Sequence, residues 1–423
     1  MKNIPRLTDR KSPSSLLCRC LDALYRSWFV LYEHTIQLCA ASGLSGGESP
    51  LQERNFQNLS LARYRQVLRD DVRSPTRDRG KSKFAGMTDS VATLPCKEVR
   101  NIRGAKLLRG MNRILPLGRK YHPLVGALNG RRGLLAISFD KYRVLQPAAW
   151  TKTITNELLF GADVVPEFQL LKPLCRQSSE GVLIDLGANA GLYTLLLRST
   201  STLPIIAYEP QPFLFKLLQW NILFNQLPDV ETRNIACGSR RSEVSFWLGL
   251  NGSILSGSVA EARKAKRLSI PAASNWEDEA RLTHQGGNVV KVPVTTLDED
   301  LADIPSIAML KIDCEGSEYE ILQGARILIR RHRPLLFIEV HPEQLEQFGH
   351  STQEVLDLLS PDYEMEFWYF QIGRTASKFA QTLAKFRRPK GHRCANSAEM
   401  LAATKSVPGP GQIYLIGHPK RPL

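Results

Sequence analysis

The sequence predicts an α/β protein: a doubly wound, mostly parallel sheet with helices on both faces, preceded by a basic N-terminal extension. Three observations point there. An apolar strand pattern, Val182-Leu183-Ile184, runs through Asp185 into a glycine-rich turn and an apolar helix, GVLIDLGANAGLYTLLLRST over residues 181–200. Glu209 ends the next strand pattern 24 positions after Asp185, the spacing of the acidic residue in doubly wound nucleotide-binding folds. Strand and helix patterns alternate through the rest of the chain, which yields parallel strands joined by helical crossovers.

Ahead of the glycine turn, Leu134–Phe139 and Tyr142–Leu145 flank Asp140 and Lys141 as a hairpin. Trp150–Phe160 and Phe168–Arg176 carry helical spacing. After the turn, Pro204–Tyr208 reads as the second strand, and Pro210 and Pro212 open a helix bearing Phe213, Leu217, Trp220 and Phe224. Val230–Cys237 is expected as the third strand and Ile307–Ile312 as the fourth. Ser317 and Glu320 have capping-box spacing before a helix with Ile321, Leu322, Ala325, Leu328 and Ile329 on one face. Leu335–Val340 is the fifth strand, with Tyr363–Phe370 and Gln412–Ile416 as late strands. Between the third and fourth strands, Asn251–Lys291 reads as a long irregular insertion, a common source of substrate contacts or lids.

The charge of this 423-residue chain divides it. Residues 1–150 hold 27 Lys/Arg against 11 Asp/Glu, whereas 151–423 hold 29 against 30. The net charge of +15 therefore belongs to the front of the chain. Residues 1–120 are expected as a partly disordered basic extension, and 121–423 as the folded domain with its core at 180–345. Within the extension, Leu17, Leu21, Leu24, Trp28 and Leu31 repeat at helical spacing, which predicts an amphipathic helix over 14–41. Packing against protein is the preferred use of that helix, and peripheral membrane contact the alternative. From Asn58 to about Leu94 the pattern is loose. The best apolar stretch, Leu16–Cys39, is interrupted by Arg19, Asp22, Arg26, Glu33 and His34, which argues against a bilayer span. Eight scattered cysteines without CxxC spacing read as free thiols, so a cytoplasmic location is expected.

The chemistry gathers at the carboxyl ends of the predicted strands. The turn Asp185-Leu-Gly187-Ala-Asn189-Ala-Gly191 lets backbone approach a ligand closely, and Glu209 suits the vicinal hydroxyls of a ribose. It lacks the second glycine of G-x-G-x-x-G, which disfavours a dinucleotide and with it a nicotinamide dehydrogenase. The turn resembles motif I of class I S-adenosylmethionine-dependent methyltransferases. The ordered series VLIDLGANAGLYTLLL, AYEPQPFLFKLLQWNILFN, NIACGS, VPVTTLDEDL, IAMLKIDCEGSEYEILQGA and RPLLFIEVHP resembles the FkbM-type methyltransferases over about 180–345.

That resemblance implies a Rossmann-like methyltransferase fold and methyl transfer from S-adenosylmethionine, usually to a hydroxyl oxygen. By it, Asp185, Gly187, Asn189, Gly191 and Glu209 match cofactor-binding positions, and Ala236 and Cys237 are expected beside the adenine. A hydroxyl acceptor also needs a group to take its proton. Asp313 is the first choice, then His341, with Glu339 beside them, all at predicted carboxyl ends of the fourth and fifth strands. Glu315 is a further candidate; for Asp313 and Glu315 the alternative is a structural carboxylate capping the next helix, and Glu318, inside that helix, reads as a surface or cap acid. No metal is expected, and a divalent ion on Asp313, Glu315 and Glu339 is the minor alternative. The expected acceptor is a hydroxyl on a small molecule, sugar or lipid-linked glycan. Two other readings stay open: a non-catalytic methyltransferase-like binding module, and an RNA methyltransferase using the basic arm. Nucleic acid is disfavoured by the near-neutral core and the lack of an N-P-P-[FY] box.

Overall fold

The computed structural model describes residues 94–104, 125, 128–150, 165–250, 253–254, 273, 275–286, 289–371, 391–406 and 411–420. The expected helix over 14–41, nearly all of the loose segment from Asn58 to Leu94, and most of Trp150–Phe160 lie outside the described residues. Among the described residues the first strand is β1 (Val99–Asn101), which pairs in parallel with β2 (Leu134–Phe139). Strand β2 forms the expected hairpin with β3 (Tyr142–Pro147), closed by Asp140 at φ 49° and Lys141.

Helix α1 (Pro166–Cys175) leads into β4 (Val182–Leu186), whose residues 183–186 are all buried. Then follow α2 (Leu192–Thr200), β5 (Ile205–Tyr208), α3 (Pro212–Phe224) and β6 (Val230–Arg233). The third strand ends there rather than at Cys237. Asn234 Nδ2 donates to the carbonyls of Glu209 (2.8 Å) and Pro210 (3.2 Å), turning the chain out of the sheet. Residues Ala236–Cys237 (β7) instead join a second, four-stranded sheet with β8 (Ser242–Trp247), β9 (Ser253–Ile254) and β10 (Val289–Thr295), in the order β7-β10-β8-β9.

The insertion expected to be irregular also contains α4 (Trp276–Gln285). Asn275 caps it by accepting from Asp278 N at 3.0 Å, and Glu277, Asp278 and Glu279 complement the positive end of the helix. Trp276 meets Trp220 edge-on at 5.7 Å, and Trp150 Nε1 donates to Ala280 O at 2.8 Å, so this polar helix docks through a few aromatic contacts.

After α5 (Leu297–Asp300) and β11 (Ile307–Ile312), the single helix expected from Ser317 is two: α6 (Glu318–Gln323) and α7 (Arg326–His332). Asp298 forces the restart by accepting from Ile327 N (3.1 Å) and Leu328 N (2.7 Å), an N-terminal cap supplied from α5. The capping box at Ser317 is absent, because Glu320 binds His350 Nε2 at 2.9 Å and Ser239 Oγ instead. The chain closes with β12 (Leu335–Val340), α8 (Pro342–Gln347), α9 (Thr352–Leu359), β13 (Tyr363–Gln371), β14 (Gly391–Cys394), α10 (Ser397–Ser406) and β15 (Gly411–Pro419). A genuine capping box opens α9, between Ser351 and Glu354.

The main sheet has eight strands in the order β14-β13-β15-β12-β11-β4-β5-β6. From β12 to β6 every pairing is parallel, as expected. The late strands depart from this, because β15 runs antiparallel between β12 and β13, and β14 antiparallel to β13. Alternation along β4 sends Leu183 to one face, with Phe168, Leu196, Met309 and Phe337, and Ile184 to the other, with Ile312, Ile321, Ile338 and Val355. Both faces are therefore covered, the condition under which parallel strands are stable. Among the described residues no helix is long and apolar enough to cross a membrane.

Asn221, fully buried in α3, ties the hairpin to the glycine turn. Its Oδ1 accepts from Leu145 N (2.5 Å) and its Nδ2 donates to Ala190 O (2.8 Å) and Leu145 O (3.3 Å). Each buried backbone group left unsatisfied costs roughly 1–3 kcal/mol. Asn221→Leu should therefore lower unfolding free energy by about 3 kcal/mol in urea titration. A loss of under about 0.5 kcal/mol, the size of an ordinary surface substitution, would show that the tether is dispensable.

Candidate active site

The turn after β4 is held from three sides. Gly187 N and Ala188 N both donate to Tyr208 O, at 3.1 and 2.9 Å, binding the turn to the end of β5. Gly187 has φ 72°, and a Cβ there would lie 1.9 Å from the Asp313 carbonyl oxygen. Its glycine is therefore required by the chain after β11 as much as by any ligand. Gly191, at φ 94°, heads α2 with its missing side chain pressed toward Leu218. Asn189, also left-handed at φ 53°, donates its backbone N–H to Glu209 Oε2 at 2.8 Å. Its side chain donates to Leu250 O at 2.9 Å, and Gln211 bonds Gly249 through both side-chain atoms, so the chain entering the insertion is fastened to the turn.

Glu209 is buried with both carboxylate oxygens engaged by backbone donors, Oε2 by Asn189 N and Oε1 by Gln211 N at 2.8 Å. Burial pushes its carboxyl up to about 7, against those two N–H groups and the Lys311 charge. Asp185 is turned into the protein. Thr194 Oγ1 donates to its Oδ2 at 2.6 Å, and Lys311 Nζ stands 2.9 Å from Oδ1 as an ion pair without hydrogen-bond alignment.

Lys311 is the residue that sequence reading missed. It lies opposite Asp185 in the β11–β4 register and is fully buried. Its ammonium donates to the carbonyls of Leu186 (3.0 Å) and Gly187 (3.1 Å) and sits 4.4 Å from the centre of the Tyr193 ring. Burial disfavours the charge, but Asp185 and Asp313 outweigh it and hold the ammonium above its ordinary range. The signal was present: a lysine inside an otherwise apolar buried strand demands a carboxylate partner.

Beyond Gly187 the ends of β11 and β12 bring the three expected proton-handling residues together. One ligating atom each from Asp313, Glu339 and His341 lie within 4.8 Å of one another. Asp313 makes no hydrogen bond through its side chain among the described residues, its nearest cations being Lys311 Nζ and His341 Nε2, both at 3.9 Å. Glu339 accepts from Tyr414 OH (2.6 Å) and Gln412 Nε2 (2.9 Å), which β15 supplies. Burial and the neighbouring Asp313 push Glu339 up to about 8.

His341 Nδ1 meets Glu318 Oε1 at 2.7 Å. Glu318 is therefore no surface acid: it is fully buried, also accepts from Gly316 N at 3.1 Å, and orients the imidazole. Burial would lower His341, but the Glu318 bond and charge, with Asp313 and Glu339, raise it to about 10. Glu315, at φ 48°, completes the group, with Oε2 3.7 Å from His341 Nε2. Ala236 and Cys237 lie buried in β7, their side chains packed on Val292 and Val294 and on the main core respectively.

Comparison with known proteins finds a match over the segment that carries both the glycine turn and the carboxylate–imidazole cluster. Residues 185–367 match the family described as Methyltransferase FkbM domain. "Methyltransferase 1" of Beauveria bassiana (strain ARSEF 2860) is 26% identical over 155 residues, covering 34% of this chain and 58% of that protein. "Methyltransferase sdnD" of Sordaria araneosa is 28% identical over 159 residues, covering 34% and 61%. The chain thus spans about three fifths of the length of these curated relatives. Among solved structures, Methyltransferase FkbM from Methylobacillus flagellatus KT matches with TM-score 0.31 and 19% identity, over 52% of this chain and 50% of that one. The family match begins at Asp185, the first aspartate of the turn, and runs into β13, so it spans the glycine turn, Glu209 and the Asp313–His341 cluster.

Proposed function

We propose that the protein transfers a methyl group from S-adenosylmethionine to a hydroxyl oxygen of a small molecule, sugar or lipid-linked glycan. The observation that carries this reading is the contact of Gly187 with the Asp313 carbonyl, which sets the cofactor turn and a proton-accepting cluster against each other. The residues fit the cofactor. Glu209 keeps lone pairs beyond its two backbone bonds, and faces a turn of Gly187, Ala188, Asn189, Ala190 and Gly191 with little side-chain bulk. Glu209 would accept from the ribose hydroxyls, the turn would lie along the nucleoside, and β7 would border the adenine through Ala236 and Cys237. Asp185 acts through Lys311 and Thr194 to shape the turn.

When bound, S-adenosylmethionine supplies a methyl carbon on a sulfonium, an electrophile that needs positioning more than activation. The chain's own work is on the acceptor. Asp313, partly exposed and free of hydrogen bonds among the described residues, takes the hydroxyl proton as the new C–O bond forms and the C–S bond breaks. His341, held by Glu318 and charged at neutral pH, keeps the neighbouring carboxylates in place around that proton. Glu339, fixed by Tyr414 and Gln412, forms the far wall.

Two outcomes test this. Asp313→Asn should cut kcat by roughly 10²–10⁴-fold in a labelled-methyl assay on an acceptor found in host extract, while leaving cofactor affinity within about twofold. Unchanged kcat would remove Asp313 from the chemistry. The second concerns Glu209, which accepts ribose hydroxyls best when ionised. With its carboxyl at about 7, cofactor affinity should rise with pH, by up to tenfold per unit below that value, and level off above it. Calorimetry from about pH 5.5 to 8.5 checks this around the Glu209 value. Glu209→Gln should bind more weakly and lose the slope, and an identical slope in that variant would exclude Glu209 as its source.

A further inference from the structure

The two nitrogens of His341 are in opposite situations. Nδ1 is bound to the buried Glu318 carboxylate at 2.7 Å. Nε2 faces three carboxylates, Glu315 Oε2 and Glu339 Oε1 at 3.7 Å and Asp313 Oδ1 at 3.9 Å. All three are too far for a hydrogen bond. A protonated Nε2 therefore has an attractive field but no acceptor, and a bare Nε2 points its lone pair at negative oxygens.

These distances have another use. Ligand atoms about 2.1–2.2 Å from a common ion stand roughly 3–4.4 Å from each other, depending on the angle between them. The ligating atoms of Asp313, Glu339 and His341 fall within 4.8 Å of one another, so a small closure brings them onto one ion. We propose that Asp313, Glu339 and His341 Nε2 bind a divalent cation, with Glu315 as a further oxygen donor, the ion displacing to solvent the proton that Nε2 carries in its absence.

The surroundings are built for this. A metal-bound imidazole characteristically gives its other N–H to a carboxylate, which fixes the tautomer and raises ligand basicity. Glu318 stands at that place. Ligating carboxylates are themselves held by hydrogen bonds. Tyr414 and Gln412 hold Glu339 in this way, from a strand antiparallel to its own. The charge balance agrees: Asp313, Glu315, Glu318 and Glu339 all surround the single imidazole of His341, and the nearby Lys311 ammonium is committed to Asp185 and two carbonyls. One imidazole with two or three carboxylates is a hard, mixed set that suits Mn²⁺, and Mg²⁺ less well because of the nitrogen.

This inference rests on the methyl-transfer reading for its purpose. Asp313 and Glu315 are partly exposed, so the ion keeps a side open to an acceptor oxygen. There it would orient the hydroxyl and ease loss of its proton to the free oxygen of Asp313, while the C–O bond forms and the C–S bond breaks as before.

The test is Mn²⁺ titration of the full chain after chelator treatment, following loss of the free-ion signal by electron paramagnetic resonance. The expected result is one Mn²⁺ per chain, abolished in His341→Ala and in Asp313→Asn, and weakened about 10–100-fold in Glu318→Gln. Thermal melting confirms that each variant is folded, and the partly exposed Asp313→Asn carries the test if His341→Ala is not. Absence of saturable binding by the folded wild type, or equal binding by Asp313→Asn, would overturn the site. S-adenosylmethionine calorimetry in chelator separates the two readings. Cofactor binding without Mn²⁺ binding overturns the metal site alone, and Mn²⁺ binding without cofactor binding overturns the proposed donor alone.

Discussion

The ion pair between Lys311 and Asp185 is the constraint on which the site depends. It joins adjacent parallel strands at equivalent register positions with neither side chain exposed to solvent. Two charges in such a place are expensive unless each is satisfied, and removing one partner typically costs about 3–5 kcal/mol. Here the remaining valences are filled by Thr194 on one side and by the carbonyls of Leu186 and Gly187 on the other. Those carbonyls belong to the first residues of the turn, so the ammonium that neutralises Asp185 also fixes where the turn starts. Replacing such a pair by well-packed apolar side chains is often neutral for stability, which makes the arrangement a device for geometry.

From that point two sets of groups spread along the strand ends. Toward β5, the turn bonds Tyr208 O and delivers Asn189 N to Glu209. Toward β12, the Asp313 carbonyl closes on Gly187, and the same segment continues into Glu315 and Glu318 around His341. The acids there are held against their preference. Glu209 and Glu339 bind protons more tightly than free carboxyls do, so each favours the folded state when protonated and withdraws that support as pH rises through about 7 and about 8. A cleft that accumulates such groups is placed for proton transfer or for cation binding, and stability alone gives no reason for it.

The parallel half of the sheet was legible because β4, β5, β11 and β12 are short apolar runs followed by chemistry-bearing turns. Asp313, Glu339 and His341 were legible for the same reason, since carboxyl ends of parallel strands converge. What escaped depended on distant partners. Lys311 was passed over within the strand Ile307–Ile312, its partner Asp185 standing opposite it only in the folded sheet. Glu318 read as a surface or cap acid inside a helix, and its place is set by His341, 23 residues away. The split between α6 and α7 is imposed by Asp298, and the early end of β6 by Asn234, neither of which has a local pattern. Helix α4 carries a mostly polar sequence and docks by tryptophans, so apolar periodicity could not reveal it.

The central claim is that the buried pair organises the turn proposed to hold the cofactor. It is tested most directly by calorimetric titration of S-adenosylmethionine into the double variant Asp185→Leu/Lys311→Met, with thermal melting as the check on folding. The account predicts a folded protein, because an apolar pair can replace a buried ion pair, whose cofactor affinity is lost because the Leu186 and Gly187 carbonyls have lost their donor. Cofactor binding at wild-type affinity in that variant would contradict it.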